Sequence, residues 1–288
     1  MKTYFVVSDT HSFYTPLKKA LWQAGFRRTN KDHILIVCGD LFDRGQETLQ
    51  VYNYIKSLPR SRRILVRGNH EALYLDLLKK RVPDSYDFSN GTVRTFCAIA
   101  GMSEEALTAS HWYKTGISGY EVYDRISETW RTIVAEVKNS AVTKFVESKK
   151  DWVNYYELGK YIFVHSFIPY KLKDEVAKYY WPHGYIQDDW KEYKPNWRQS
   201  SDFEWSEAAW GCPYAEYELG LFKPEEEKGK ILVCGHWHAA AFHEEFEGAK
   251  EMENHHTYIG EHLIALDACT VLSKFINVLV IKEDEIGA

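Results

Sequence analysis

HILIVCGDLFDRG, residues 33–45, is the stretch whose reading decides the fold. Its first six residues are an apolar, β-branched run too short for a helix, which predicts a buried strand. The run stops at Gly39-Asp40 and is followed by a polar cluster ending in Asp43-Arg44-Gly45. Working outward, TYFVVS at 3–8 and RRILVR at 62–67 predict two more strands. The first ends in Asp9-Thr10-His11 and the other in Gly68-Asn69-His70-Glu71. Between them, residues 15–25 carry a Thr before a Pro, apolar residues at helical spacing and a closing Gly25, and residues 46–57 keep a similar register. Strand, helix, strand, helix, strand implies parallel pairing with right-handed crossovers, so the fold class is α/β. In open α/β sheets ligands bind at the carboxyl ends of the strands, where these polar clusters fall.

Further along, residues 71–81 predict a helix. Residues 84–157, polar and aromatic with helical stretches near 103–114 and 121–150, read as a helical insertion, a possible cap. KYIFVH at 160–165 returns to a strand ending in His165. Residues 170–225 form a Trp-rich insertion (Trp181, Trp190, Trp197, Trp205, Trp210) with little periodicity, and long irregular stretches of this kind are usually functional. KILVC at 230–234 is a strand ending in Gly235-His236-Trp237-His238. Residues 239–247, 262–268 and 274–282 read as further strands, antiparallel at the end. The whole of 1–288 is expected to be a single catalytic domain enlarged by the two insertions.

The chain of 288 residues is 45% hydrophobic and 27% charged, which supports a real core and excludes a disordered or collagen-like chain. Aromatics at 15% and 12 His are the unusual counts. A net charge of −5 argues against a generic nucleic-acid binder. The basic cluster Arg60, Arg62, Arg63, Arg67 reads as a loop leading into a strand. No apolar run reaches the ~18 residues of a spanning helix, and the N-terminal run is too short for a signal segment. The 5 Cys contain no C-x-x-C pair, so neither a disulfide framework nor a zinc knuckle is indicated, and a cytoplasmic setting is expected.

Taken singly, each strand-end cluster is a weak signal. Their joint occurrence in this order is specific. The set D-x-H, GD-x-x-DRG, GNHE, H and GH-x-H resembles the calcineurin-like metallophosphoesterases, and its DRG and HE extensions look like the phosphoprotein phosphatase branch, which includes bacterial Ser/Thr phosphatases and diadenosine tetraphosphatases. The resemblance covers residues 3–75, 160–168, 230–240 and the C-terminal strands, but neither insertion. LIALDAC near the C-terminus is similar to a family strand ending in D-T-G-C, but Ala268 and Cys269 depart from it, and no catalytic role is expected there.

The resemblance implies a four-layer α/β/β/α sandwich holding two divalent metal ions. Asp9, His11, Asp40 and His238 would bind the first, and Asp40, Asn69, His165 and His236 the second, with Asp40 bridging. For His238 the alternative is that it lines the site without binding. Mixed carboxylate, amide and imidazole ligands suit Mn foremost, with Fe, Zn, Ni or Co as other candidates. Two such ions about 3.5–4 Å apart can clamp a phosphoryl oxygen and generate a hydroxide. Asn69 offers a neutral oxygen toward an anionic substrate. His70 and Asp43 are the expected acid pair, since a leaving alkoxide needs a proton. Arg44 can meet two phosphate oxygens with its planar fork. Arg198, the only Arg of the 170–225 insertion, is the candidate second phosphate ligand by elimination, with a surface loop Arg as the alternative. Glu71 is expected to cap the following helix rather than do chemistry. His183, His243, His255, His256 and His262 read as surface or structural.

The expected function is metal-dependent hydrolysis of phosphomonoesters, whether on phosphoproteins or on small phosphoesters. The alternatives are a dinucleoside polyphosphate hydrolase, a phosphodiesterase and a catalytically silent metal-binding scaffold. No membrane partner is expected.

Overall fold

Alternation along the first strand separates two cores. In β1 (Thr3–Ser8), Tyr4 and Val6 join one buried cluster while Phe5 and Val7 join another. The same split recurs in β2 (His33–Cys38), where Ile34, Ile36 and Cys38 face one way and Leu35 and Val37 the other. Both faces of the sheet are therefore apolar, as in a parallel sheet covered on both sides. β3 (Arg63–Val66) continues the parallel ladder, with Leu35 opposite Arg63 and Cys38 opposite Val66. The structure, a computed structural model, describes residues 1–173, 190–249 and 253–287.

Helix α1 (Tyr14–Gln23) connects β1 to β2 and buries Leu17 and Leu21, and α2 (Thr48–Lys56) connects β2 to β3 and buries Val51 and Ile55. α3 (Asn69–Leu77) follows β3. Then come α4 (Ser85–Ser89), α5 (Thr92–Ala100), α6 (Ala109–Lys114), α7 (Tyr120–Asn139) and α8 (Ala141–Val146). The helical reading of 84–157 runs too far at its end. β4 (Trp152–Val153) pairs in parallel with β3, and β5 (Tyr156–Leu158) pairs antiparallel with β6 (Tyr161–Phe163).

β7 (Lys171–Leu172) and β8 (Lys191–Glu192) form a small ribbon. β9 (Ile231–Cys234), β10 (Tyr258–Ile259), β11 (Leu263–Ala265) and β12 (Leu279–Lys282) complete the strands. The first sheet has the order β12-β1-β2-β3-β4 and the second β10-β11-β9-β6-β5. β12 runs antiparallel to β1, as expected, whereas β11 is parallel to β9. Residues 239–247 form a helix, not the expected strand. Their apolar run is Ala-rich, and Ala is the strongest helix former. Trp181 and His183 lie outside the described residues.

The two sheets close on each other through Tyr4, Val6, Ile36 and Val66 from one and Phe163, Val233, Ile264 and Leu266 from the other. The outer face of the first sheet packs on Leu17, Val51, Phe96, Trp130 and Ile133. The outer face of the second packs on Trp197, Trp205 and Phe242. Helix, sheet, sheet, helix is the expected four-layer sandwich. Among the described residues no helix is long and apolar enough to cross a membrane.

The entry into β4 is fixed by charge. Asp151 accepts from Arg63 Nη2 at 2.5 Å and Arg60 Nε at 3.0 Å, and its side chain is 2% exposed against 4% for Arg63. Hydrogen bonds from Arg60 hold its carboxyl well below the usual range, with Arg63 adding to them against burial. Asp151→Ala strands the buried Arg63 guanidinium and is expected to cost about 3 kcal/mol. Urea unfolding should show a lower midpoint at unchanged slope. Because the folded pKa is depressed, the contribution is present above the unfolded value near ~3.9 and fades as pH falls below it. A midpoint equal to wild type at pH 7 would refute the assignment.

Candidate active site

Each functional side chain leaves the carboxyl end of a strand. Asp9 and His11 follow β1, Asp40 to Arg44 follow β2, and Asn69 and His70 open α3 after β3. His165 follows β6, and His236 and His238 follow β9. The loops are tightly turned: Asp9, His11, Asp40, Asp43, Arg44 and His236 all have φ between +43° and +74°. Left-handed backbone costs a non-glycine residue about 1–3 kcal/mol, and it persists where surrounding bonds over-determine it. Such bonds are present. His11 N donates to Asp40 O at 3.0 Å, Gly45 N to His11 O at 2.8 Å and Gly235 N to His165 O at 2.7 Å. Glu71 caps α3 as expected, accepting from Gly68 N at 2.8 Å, and also takes the backbone N–H groups of Asp40 and Leu41. It therefore ties the second loop to the third. Gly39, at φ +81°, is where a side chain would collide with the His165 ring.

The side chains converge on Asp40. Its Oδ2 lies 3.6 Å from His11 Nε2 and 3.8 Å from His70 Nε2, and its Oδ1 lies 3.4 Å from His165 Nε2. Among the described residues, two groups can offer one ligand atom from each residue within 4.8 Å of one another: His11, Asp40 and His70, and Asp40, His165 and His236. Asp40 belongs to both. Asp9 Oδ1 lies 3.9 Å from His11 Nε2, and its Oδ2 accepts from His236 N at 3.0 Å. Asn69 Oδ1 lies 2.8 Å from His165 Nε2.

The hydrogen-bond pattern tests whether a cation fits. His165 Nδ1 faces Cys38 O at 3.0 Å, while Nε2 faces Asn69 Oδ1 and Asp40 Oδ1. A neutral imidazole has one N–H, so it cannot satisfy acceptors at both nitrogens. Charging the ring is disfavoured, since burial, followed by His236, pulls His165 well below its ordinary value. With Nδ1–H on Cys38 O, the Nε2 lone pair and the carboxylate and amide oxygens point at one another, an arrangement a divalent cation satisfies. His11 repeats the pattern, with Nδ1 on Phe42 O at 3.0 Å and Nε2 toward Asp9 and Asp40. Burial, His70 and Arg44 depress it, and burial brings His236 down to about 4. These imidazoles are neutral near pH 7, the state that binds metal. The carboxyls tell the same story. Burial, then Asp267 and Asp40, raise Asp9 well above the carboxylate range, and burial pushes Asp40 up to about 7. The donor set fits divalent metal.

His70 stands apart in one respect. Its Nδ1 pairs with Asp43 Oδ2 at 2.7 Å, and Asp43 is fully buried. Burial alone would lower His70, but Asp40 and Asp43 outweigh it and its pKa is raised. Arg44 has a buried Nε without a partner among the described residues. Its charge also lowers the pKa of His11, Asp40 and His236, after the larger effect of burial, so it acts on this centre electrostatically.

Three placements differ from the sequence reading or add to it. His238 lies outside both groups, its side chain 36% exposed and its Nε2 3.9 Å from Asp267 Oδ2. Arg198 is not aimed at the centre. Its guanidinium is held by Glu157 at 2.5 Å and Glu227 at 2.7 Å and lies over the Trp197 ring. Its part is to neutralise two carboxylates, which corrects the phosphate-ligand candidacy. Asp267 belongs to the LIALDAC strand, where no catalytic role is expected, yet it is buried, and it raises Asp9. Its position at the end of a predicted strand was the signal that could have found it. Of the remaining histidines, His243 pairs with Glu247, and His262 is partly buried.

A cavity of ≈ 410 Å³ opens beside Asn69 and His165, walled by Trp152, Phe167 and Trp205 with Arg67 and Lys149 at its edge.

Comparison with known proteins places this geometry in context. A model of the calcineurin-like phosphoesterase family matches residues 2–240. A symmetrical bis(5'-nucleosyl)-tetraphosphatase of Photorhabdus laumondii is 34% identical over 91 residues, 30% of this chain and 32% of that protein. One of Psychromonas ingrahamii is 39% identical over 71 residues, 25% of this chain and 24% of that protein. The match thus spans about a quarter to a third of these relatives. Among solved structures, a putative diadenosine tetraphosphatase aligns at TM-score 0.42 and 14% identity, covering 97% of this chain and 93% of that one. A cold-active protein-tyrosine phosphatase of a psychrophilic Shewanella aligns at TM-score 0.46 and 15% identity, covering 98% of this chain and 76% of that one.

Proposed function

Since the chain belongs to the calcineurin-like phosphoesterase family, we propose that it is a metal-dependent phosphomonoesterase of the phosphoprotein phosphatase type. The observation that supports this most is the His70–Asp43 pair at 2.7 Å, set with His70 Nε2 3.8 Å from Asp40. Asp9, His11, Asp40, Asn69, His165 and His236 would hold the metal, with His238 joining from the rim. Two divalent cations there, Mn foremost, would supply positive charge to phosphoryl oxygens and acidify water. The chain's own residues do the rest. Arg44 orients the phosphoryl group through its planar fork. Asp43 fixes the His70 ring, and His70 Nε2 hands a proton to the leaving oxygen. A buried acid of this kind matters most when the leaving group is a poor one, an alkoxide, as in a Ser or Thr phosphate.

A second reading is hydrolysis of dinucleoside tetraphosphates. It is favoured by the tetraphosphatase name of the partial relatives and by the Trp-walled cavity beside Asn69, which suits a base because aromatic rings stack bases by about 1–3 kcal/mol each. A substrate panel separates the readings. Purified chain with Mn should hydrolyse p-nitrophenyl phosphate and phosphopeptides and lose this with EDTA. Turnover of diadenosine tetraphosphate alone would move the assignment to the second reading. Turnover of bis-p-nitrophenyl phosphate alone would mark a phosphodiesterase. No turnover with Mn, Co, Ni, Zn or Fe would mark a metal-binding scaffold.

A further inference from the structure

Helix α5 of the 84–157 segment packs behind the Asp43-Arg44-Gly45 turn and grips it at several points. Thr92 Oγ1 donates to Asp43 Oδ2 at 2.8 Å, the same oxygen that meets His70 Nδ1 at 2.7 Å. Asp43 N donates to Thr95 Oγ1 at 3.0 Å. Arg94 Nη1 donates to Arg44 O at 2.8 Å, while its Nε is held by Glu104 at 3.0 Å. Gly91, at φ +78°, lies so close that a Cβ there would run into the Arg44 backbone. The helix itself is anchored. Phe96 stacks on Trp130 of α7 with ring centroids 5.5 Å apart and meets Tyr74 of α3 at 4.9 Å. Thr92, Val93, Thr95 and Phe96 are buried.

These contacts explain how Asp43 and Arg44 keep consecutive left-handed backbones, φ +74° and +58°. Each carries a cost of about 1–3 kcal/mol, which hydrogen bonds from a rigid neighbour can offset. They also leave Asp43 little freedom to turn. Its Oδ1 has no partner among the described residues, so both of its side-chain hydrogen bonds fall on Oδ2.

We propose that Thr92 is a positioning residue for the proton-donating pair: with Thr95 and Arg94 of the same helix, it fixes the Asp43 carboxylate so that Oδ2 meets His70 Nδ1. The helical segment then acts as a buttress behind the catalytic turn. The inference rests on the phosphomonoesterase reading for its kinetic consequence but not for its geometric one, so the two are tested apart. Thr92→Val removes the hydroxyl at nearly constant volume, and Thr92→Ser restores it. The low-field proton resonance of His70 Nδ1–H, identified by its loss in His70→Asn, should shift or broaden in Thr92→Val and return in Thr92→Ser. An unchanged resonance overturns the proposal whether or not any ester is hydrolysed. With active enzyme, kcat for phenyl phosphate, a poor leaving group, should fall about 10-fold in Thr92→Val, a modest share of what proton donation contributes. Turnover of 2,4-dinitrophenyl phosphate should hardly change. Equal losses on both esters, or no recovery in Thr92→Ser, would show a merely structural role and overturn the proposal. If the wild-type chain hydrolyses neither ester while the resonance responds as expected, the functional reading fails and the positioning role stands.

Discussion

His70→Asn should lower kcat on phenyl phosphate by about 10²–10⁴, the usual contribution of a positioned proton donor. The residue is 3% exposed and has its Nδ1 committed to Asp43, so only Nε2 is left to serve a substrate. Asn is shorter and cannot donate from that position, yet it keeps the backbone N–H that donates to Asp40 Oδ1 at 3.0 Å. The loop should therefore stay in place and the loss should fall on chemistry. Leaving-group dependence gives the sharper reading. Loss on 2,4-dinitrophenyl phosphate should be much smaller than on phenyl phosphate, because its leaving oxygen needs little help. Metal content, measured by mass spectrometry on the same preparation, separates an acid from a ligand. His70 stands within ligand distance of His11 and Asp40. If the variant loses metal in step with activity, His70 is a ligand and the acid assignment is wrong.

The strand ends were legible because the signals there are local. His33–Cys38 is an apolar run that stops at a Gly-Asp pair, and nothing distant is needed to see that a loop must begin there. The convergence of the β1, β2 and β3 ends followed from parallel topology, whereas that of the β6 and β9 ends also needs the second sheet stacked on the first. What could not be read depends on long-range pairing. Arg198 was singled out by elimination, but its partner Glu157 is 41 residues away and Glu227 is 29 away, and no local pattern announces either. Thr92 and Thr95 look like ordinary residues of a helix opening, and only the packing of α5 brings them against Asp43. The strand reading of 239–247 failed for a different reason. Short apolar runs carry no decisive period, and the Ala-rich composition was the better guide. The helix is also set by tertiary contact, since Ala239 N donates to Asp267 O at 2.7 Å.

Asp40→Asn is expected to move stability and activity in opposite directions, and this separates a metal centre from a structural cluster. Asp40 belongs to both candidate ligand groups and is 2% exposed. Burial holds its carboxyl at about 7, so in metal-free protein at pH 8 the group is ionised at a cost to the fold. The sign is fixed by the raised value. The penalty begins as pH climbs above the unfolded value near ~3.9 and is complete above the folded one. Asn is neutral at every pH and keeps an oxygen for the His70 N–H, so Tm in EDTA at pH 8 should rise, by about 2–4 °C for each kcal/mol recovered. The gain should shrink toward pH 4, where the wild-type carboxyl is itself protonated. With Mn present the order should reverse. Wild type gains stability from any ligand that binds only the folded state, while the variant has lost the one carboxylate common to both groups. Its activity should fall by about 10²–10³, the scale lost when a charge-stabilising group is removed. A variant that stays active and still gains wild-type stability from Mn would show that Asp40 is no ligand. Carboxylates retained at a cost to the metal-free fold are what a functional site produces, since a purely structural cluster would have no reason to keep Asp9, Asp40 and Asp267 buried together.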